Sequence, residues 1–153
     1  MDDCIFCKIV AGDAPSHKIW ENDEFLAFLS IFPNTEGVSV VIPKKHYPSY
    51  IADIPDDVTS DLLNAGKVVA KKLDSVLEDV GRTGFIFEGF GVDHLHLKLF
   101  PMHNTTADTW KQHVSRIEKY FDTYEGYLSS HDSARADDTA LAKLAQKIRD
   151  ARS

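Results

Sequence analysis

The chain has 153 residues, a length that predicts one domain with a hydrophobic core of its own. Its formal net charge of −7 and the lack of a basic stripe argue against a nucleic-acid-binding protein, but leave room for a small anionic substrate. No apolar run approaches the roughly 20 residues of a membrane span, and the acidic start "MDDCIFCKIV" is unlike a secretory signal. We therefore expect a cytoplasmic protein without a membrane partner.

The first part of the chain contains patterns for one short helix and three strands. "CIFCKIVAG" predicts a short helical turn that ends at Gly12. "HKIWENDEFLAFLSIF" contains two strand-like runs, which the turn signal at residues 21–24 separates. "GVSVVIPKKH" is a β-branched run that predicts a third strand ending at Pro43.

A long helix is predicted from Pro55 to about Gly81. Pro55 suits the first turn, Asp56 and Asp57 complement the positive end of the helix dipole, and Gly81 suits the end. The apolar residues recur every three or four positions and form one stripe, namely Val58, Leu62, Ala65, Val69, Leu73, Val76 and Val80.

Two more strand patterns follow, "TGFIFEGF" and "DHLHLKLF". After a polar loop, an aromatic segment is interpreted as packing over the core, and a last helix has an Asp cap near Asp137. The aromatic residues of that segment are Trp110, Tyr120, Phe121, Tyr124 and Tyr127. Because no regular helices separate the strands, the pattern predicts an α+β fold with about five strands in a mostly antiparallel sheet.

The stretch "HLHLKLF" places His94, His96 and Lys98 at alternate positions. Side chains alternate between the two faces of a strand, so these three share one face while the intervening leucines pack on the core. We predict that the ring of His96 faces an open pocket. A neutral imidazole can attack phosphorus while a neighbouring cation stabilises the negative charge that develops. The alternative is an ordinary solvent-exposed polar face.

The chain has two cysteines, Cys4 and Cys7, separated by two residues. In a reducing compartment this spacing indicates a metal clip or a redox pair rather than a structural disulfide.

Taken together, these motifs resemble those of the histidine triad (HIT) family. The family carries His-φ-His-φ-His-φ-φ, often followed by Pro, and "HLHLKLFP" fits this pattern with Lys98 in place of the third histidine. "CIFCKIVAG" matches the start of many members, and "FLAFLSIFPNTEGVSVVIPKKH" matches a segment ending in Val-Ile-Pro-Lys-Lys-His. The resemblance covers residues 4 to 103. It implies a HIT-like domain over residues 1–105. The tail lies outside the resemblance, and we predict that residues 106–153 form a helical C-terminal extension that packs on the domain.

The resemblance implies that His96 is a nucleophile that attacks an α-phosphate and forms a covalent nucleotidyl-imidazole. Lys98 would supply positive charge beside that phosphate. The implied activity is a phosphohydrolase or nucleotidyl transferase acting on a nucleotide or a related phosphoester, in a homodimer joined through the edge strand "TGFIFEGF". The alternative is a module that binds a nucleotide or phosphate without turnover.

Several residues around this nucleophile depart from the family pattern. Val38 replaces a histidine, Ser30 aligns with a ribose-binding aspartate, Phe87 aligns with an asparagine, and residues 90–91 align with Gln-Ser. These departures favour a different phosphoester, or binding alone, as alternatives to an ordinary nucleotide substrate. The candidate substrate contacts are Ser30, Ile31, Gly89, Gly91 and His103.

Some bacterial HIT proteins hold zinc with two cysteines and two histidines. The resemblance places Cys4, Cys7, His46 and His94 at those positions, which implies a closed structural zinc site. Such a site would anchor the segment that carries His96 to the N-terminus. The alternative is two reduced cysteines with unrelated histidines.

Overall fold

The computed structural model describes residues 3–106 and 134–151, so the predicted aromatic segment lies outside the described residues. The described part contains three α-helices, five strands and one short 3₁₀ helix at Ile51–Asp53. In chain order the helices and strands are α1 (Ile5–Ala11), β1 (Lys18–Glu21), β2 (Phe25–Leu29), β3 (Ser39–Pro43), α2 (Asp56–Val76), β4 (Thr83–Ile86), β5 (Leu97–Pro101) and α3 (Asp138–Asp150). None of the described helices is long and apolar enough to span a bilayer.

The five strands form one sheet in the order β1-β2-β3-β5-β4. Every neighbouring pair is antiparallel, and β4 lies at one edge. The predicted α+β class and the antiparallel sheet are therefore confirmed.

The two faces of the sheet carry separate apolar clusters. Ala27, Val41 and Leu97 belong to the larger cluster, which also contains the buried stripe of α2 and the inner face of α3. The opposite face, with Phe28 and Val40, packs against residues of α1. Because side chains alternate along β5, Lys98 lies on the α1 side of the sheet.

Helix α2 is shorter than its apolar stripe predicts. The helix ends at Val76, and Leu77 has extended backbone angles. The Val80 amide donates to the carbonyl of Leu77, so a tight turn carries Val80 into the core at 5% exposure. The periodic stripe thus correctly identified buried residues, but its last member, Val80, lies in the turn that follows the helix.

The predicted strand over residues 93–100 also begins later than expected, at Leu97. Extending the observed register of β3 and β5 would place Pro43 opposite Leu95. Proline has no amide hydrogen and cannot continue the ladder. Instead, the Leu95 amide donates to the carbonyl of Tyr47 at 2.9 Å. His94 and His96 therefore lie in the segment just before β5.

Helix α3 docks on the same core as α2. Leu141, Ala145 and Ile148 are buried within the larger cluster. At its start, His17 Nε2 lies 2.9 Å from Asp138 Oδ1, and at its end the Lys72 ammonium donates to the Ala151 carbonyl at 2.8 Å. The described part of the extension thus packs on the HIT-like region, while a domain boundary at residue 105 stays a prediction.

Candidate functional site

Four potential metal ligands meet between α1 and the end of β3. Cys4 caps the N-terminus of α1 and Cys7 lies in its first turn. His46 follows β3, and His94 precedes β5. Their ligand atoms all lie within 4.8 Å of one another. The structure therefore brings together the four residues that the resemblance implied.

The spacing of these atoms fits a tetrahedral ion. His94 Nδ1 lies 3.5 Å from Cys4 Sγ and 3.6 Å from Cys7 Sγ, and His46 Nδ1 lies 3.4 Å from Cys7 Sγ. Usual zinc–sulfur and zinc–nitrogen bond lengths place such ligands about 3.6 Å apart in a tetrahedron. The observed separations match that value without rearrangement.

The hydrogen bond of His94 selects the tautomer that a metal needs. Its Nε2 lies 2.9 Å from the Pro43 carbonyl oxygen, which can only accept, so Nε2 carries the proton. The lone pair is then on Nδ1, the atom that faces the two sulfurs. Burial lowers the pKa of His94 and thereby favours the neutral, ligating ring.

The thiols are also suited to a cation. Burial, followed by the hydrogen bond and charge of Cys4, raises the pKa of the Cys7 thiol. Two thiolates side by side repel each other, and a metal ion between them removes this penalty. This set of two sulfurs and two imidazoles can hold a metal ion.

His96 follows His94, a member of this cluster, by two residues. Its Nδ1 is 2.7 Å from the His94 carbonyl oxygen and therefore donates to it, which leaves the lone pair on Nε2. Burial lowers the pKa of His96, and the positive charge of Lys98 lowers it further. The site thus maintains a neutral imidazole with a fixed tautomer.

The expectation that this ring faces an open pocket is wrong, because His96 is only 2% exposed. Helix α1 accounts for much of the cover. The ring of Phe6 meets His96 edge-on at a centroid distance of 5.7 Å, and meets His94 in the same way at 5.8 Å. Alternation along the sequence predicted the face of the sheet but contained no information about the helix that packs on it.

Lys98 forms an ion pair with Glu88, a residue that the sequence analysis missed. The Lys98 side chain is 21% exposed and that of Glu88 is 9% exposed. Ile86 pairs with Lys98 across β4 and β5, and alternation directs Glu88, two residues later, to the same face. The sequence signal for Glu88 was an acidic residue among apolar ones in "FIFEGF". The next predicted strand in the chain carries Lys98.

Ser30 and Ile31 lie at the end of β2. The Ser30 amide donates to the Val38 carbonyl at 2.8 Å, and its hydroxyl accepts from the Phe32 amide at 3.2 Å. Phe28, two residues earlier, is in register with Val40, which is in register with Lys98. Ser30 follows Phe28 by two residues and therefore lies on the face of the sheet that carries Lys98. The neighbouring Ile31 is 36% exposed.

The two candidate glycines have different surroundings. Gly89 has φ of +70° and lies against the Ser49 carbonyl, where an added Cβ would come within 3.0 Å of the oxygen. Gly91 has φ of +87°, and no atom lies within 4 Å of its Cβ position. Gly89 is thus required for packing and Gly91 borders open space.

His103 is not brought to His96. It follows β5, whereas His96 precedes it. Its Nδ1 lies 2.8 Å from Asp79 Oδ1 and its Nε2 lies 3.0 Å from the Glu36 carbonyl. Both ring nitrogens therefore make contacts between loops. These contacts do not support the predicted role of His103 in binding a substrate.

Comparisons with known proteins agree with this geometry. A family model described as the HIT domain matches residues 11–105. An uncharacterized HIT-like protein from Methanocaldococcus jannaschii is 35% identical over 115 residues, which cover 71% of this chain and 85% of that protein. An adenosine 5′-monophosphoramidase from Schizosaccharomyces pombe is 39% identical over 105 residues, which cover 66% of this chain and 75% of that enzyme.

A solved structure extends the similarity to the whole fold. The crystal structure of a zinc-bound histidine triad family protein from Mycobacterium smegmatis matches with a TM-score of 0.71 and 25% identity. The match covers 97% of this chain and 91% of that protein, which confirms the predicted HIT-like fold. Since the family model spans more than half of the sequence and the fold is shared, this chain belongs to the histidine triad (HIT) family.

Proposed function

We propose that this protein is a nucleotide phosphoramidase or a closely related hydrolase that uses His96 as a covalent nucleophile. The observation that carries the proposal is the hydrogen bond from His96 Nδ1 to the His94 carbonyl. It directs the lone pair of a neutral ring to Nε2, on the face of the sheet that also carries Lys98. The S. pombe relative, an adenosine 5′-monophosphoramidase, supports the substrate class.

The reaction would proceed in two displacements. In the first, His96 Nε2 forms a bond to phosphorus while the phosphorus–nitrogen bond breaks, and the leaving nitrogen takes a proton from solvent and departs as the amine. In the second, water attacks the phosphorus, the bond to Nε2 breaks, and the attacking water releases a proton to solvent. Lys98 would stabilise the non-bridging oxygens in both steps.

Binding without turnover is the second candidate function. The ion pair with Glu88 and the 2% exposure of His96 favour it, because the cation is already neutralised and the ring is covered. A substrate would have to displace the cover over His96 before attack.

Incubation with adenosine 5′-phosphoramidate tests the two functions. We expect the wild-type protein to release AMP, and His96→Ala to reduce the rate at least about a thousandfold. His103→Ala is the matched control and should keep its activity, because its ring belongs to a loop contact away from His96. Binding of the compound without any release of AMP by the wild type would replace the enzyme with a binding module.

We further propose that the cluster of Cys4, Cys7, His46 and His94 holds a structural zinc ion. Two sulfur and two nitrogen ligands in a closed set are typical of structural zinc, and no ligand position is left for a substrate. When bound, the ion would fix α1 to the segment before β5. The zinc-bound M. smegmatis relative supports this choice of metal.

Metal analysis of the purified protein provides the test. We expect about one zinc per chain, and a thermal midpoint that falls by about 10 °C when a chelator removes it. Cys7→Ser should lose the metal, whereas the control His103→Ala should keep it. A wild-type protein that remains free of zinc after refolding with an excess of the ion would contradict the proposal.

We also propose a homodimer in which two β4 strands meet. β4 is an edge strand, and edges of this kind can pair with a second chain. Phe85 on this strand is 36% exposed, and Leu63 on α2 is 42% exposed. Apolar side chains of this size at an exposed edge favour an interface.

A further inference from the structure

The ion pair between Lys98 and Glu88 is built into the face of the sheet beside the nucleophile. The residues in register with Lys98 on the two neighbouring strands, Val40 and Ile86, are both apolar. The Glu88 side chain is 9% exposed, which makes it more buried than its partner. A pair that is largely removed from water interacts more strongly than a surface pair.

Both charges lie on the face of the sheet that carries His96. The ring of Phe6 meets Phe28 and His96, and Phe28 is in register with Val40, which is in register with Lys98. Lys98 and Glu88 therefore lie on the same side of the sheet as His96. A phosphate that reaches Nε2 would approach both of them.

We propose that Glu88 is a specificity-determining residue that selects substrates with little negative charge beyond the reacting phosphoryl group. This inference rests on the proposed phosphoramidase function. The carboxylate occupies one side of the Lys98 ammonium, and the remaining N–H groups can bind one phosphoryl group. A polyphosphate brings further negative charges that the carboxylate repels, so the same residue discriminates against it.

Glu88→Gln and Glu88→Asp form a matched pair of variants. Glutamine keeps the size of the side chain and one acceptor oxygen but removes its charge. Aspartate keeps the charge and shortens the side chain by one methylene. A purely structural role would be affected by both changes, whereas a charge-based role is affected by the first alone.

The kinetic test compares kcat/KM for adenosine 5′-phosphoramidate with that for diadenosine tetraphosphate. We expect the wild type to prefer the phosphoramidate. Glu88→Gln should increase the relative kcat/KM for the tetraphosphate by about tenfold, mainly through a lower KM, because one repulsive charge near the site is removed. Glu88→Asp should keep the wild-type preference.

Equilibrium binding of ATP and AMP provides a second measurement that does not need turnover. The ratio of ATP affinity to AMP affinity should rise about tenfold in Glu88→Gln and stay near the wild-type ratio in Glu88→Asp. An unchanged ratio in a folded Glu88→Gln protein, or no nucleotide binding by any of the proteins, overturns the inference. If Glu88→Gln does not fold, a changed ratio in Glu88→Asp overturns it and an unchanged ratio supports it.

The two proposals can fail separately. If no protein cleaves either compound, the phosphoramidase proposal fails, and the binding ratio still decides the role of Glu88. If the wild type cleaves the phosphoramidate and the Glu88→Gln preference does not change, the role of Glu88 fails alone.

Discussion

His94 makes three contacts that link the cluster of Cys4, Cys7 and His46 to His96. Its Nδ1 faces the sulfurs of Cys4 and Cys7, its Nε2 donates to the Pro43 carbonyl, and its own carbonyl accepts from His96. A single residue thus fixes both imidazoles in one tautomer each. At the scale of residues, the site is organised by backbone carbonyls, which a motif cannot reveal.

The contact between Asp79 and His103 gives a pH-dependent prediction. Burial lowers the pKa of His103, but the hydrogen bonds to the Glu36 carbonyl and Asp79 outweigh it, so the pKa is raised overall. The hydrogen bond from His103 lowers the pKa of Asp79. Because the pKa of His103 is higher in the folded protein than in the unfolded one, protonated His103 stabilises the fold at pH values below its pKa in the unfolded protein. This contribution is lost as the pH rises through its pKa in the folded protein. At acid pH it is lost again as Asp79 becomes protonated.

We therefore expect Asp79→Asn to unfold at a lower urea concentration than the wild type near pH 5.5. The difference should be about 0.3 M in the midpoint, since this pair is partly exposed, and should decrease by about pH 8.5. Asp13→Asn, a change at an exposed aspartate outside this contact, is the control. A difference between Asp79→Asn and wild type that grows with pH would contradict the assignment.

The sequence predicted some site residues because their signals were local. Alternation directed His96 and Lys98 to one face, and a recognised set of motifs identified Cys4 and His46. Glu88 and Asp79 were missed because their partners, Lys98 and His103, lie on other segments of the chain. Pairing between separate segments depends on strand register and loop positions, which a single sequence does not specify.

At the scale of elements, α3 is part of the core rather than an appendage. Ile148 is fully buried and Ala145 is 1% exposed, both within the cluster that contains the stripe of α2. The apolar face of this helix was readable from the sequence because it repeats every three or four residues. The sequence did not show which surface α3 covers, because α3 contacts β1 and α2, which are far from it in the sequence.

Truncation of a single α3 side chain should reveal this role. We expect Ile148→Ala to reduce the free energy of unfolding by about 3 kcal/mol, because it leaves a cavity in a packed cluster. The neighbouring change Lys147→Ala, at an exposed position, should alter it by no more than about 0.5 kcal/mol. Urea unfolding followed by circular dichroism measures both, and equal losses would show that α3 is not integrated into the core.

Element boundaries were the least predictable part of the fold. The helix pattern extended beyond Val76 because the turn that follows also buries its apolar residue, Val80. Close packing at Gly66 was also invisible, since a Cβ there would lie 2.4 Å from Leu97 Cδ2 and only the folded structure reveals that approach. Periodicity reports burial, and it does not distinguish a helix from the turn after it.

At the scale of the whole molecule, the position of β4 makes the oligomeric state testable. We expect the wild type to have twice the chain mass in size-exclusion chromatography with light scattering, and Phe85→Glu to be monomeric. A charge at the edge strand opposes pairing with a second copy. Ile31→Glu is the control, because Ile31 has the same 36% exposure and lies at the end of β2. Dimers of unchanged mass in both variants would exclude β4 as the interface.

Helix α1 has only seven residues, fewer than the roughly 12–15 that an isolated helix needs to persist in water. Its tertiary contacts must therefore stabilise it: the thiols of Cys4 and Cys7 face two histidines, and the ring of Phe6 packs against His94 and His96. An affinity tag or a deletion at the N-terminus is therefore expected to disturb the surroundings of His94 and His96. A comparison of samples tagged at the N-terminus with samples tagged at the C-terminus would therefore measure how strongly the site around His96 depends on α1.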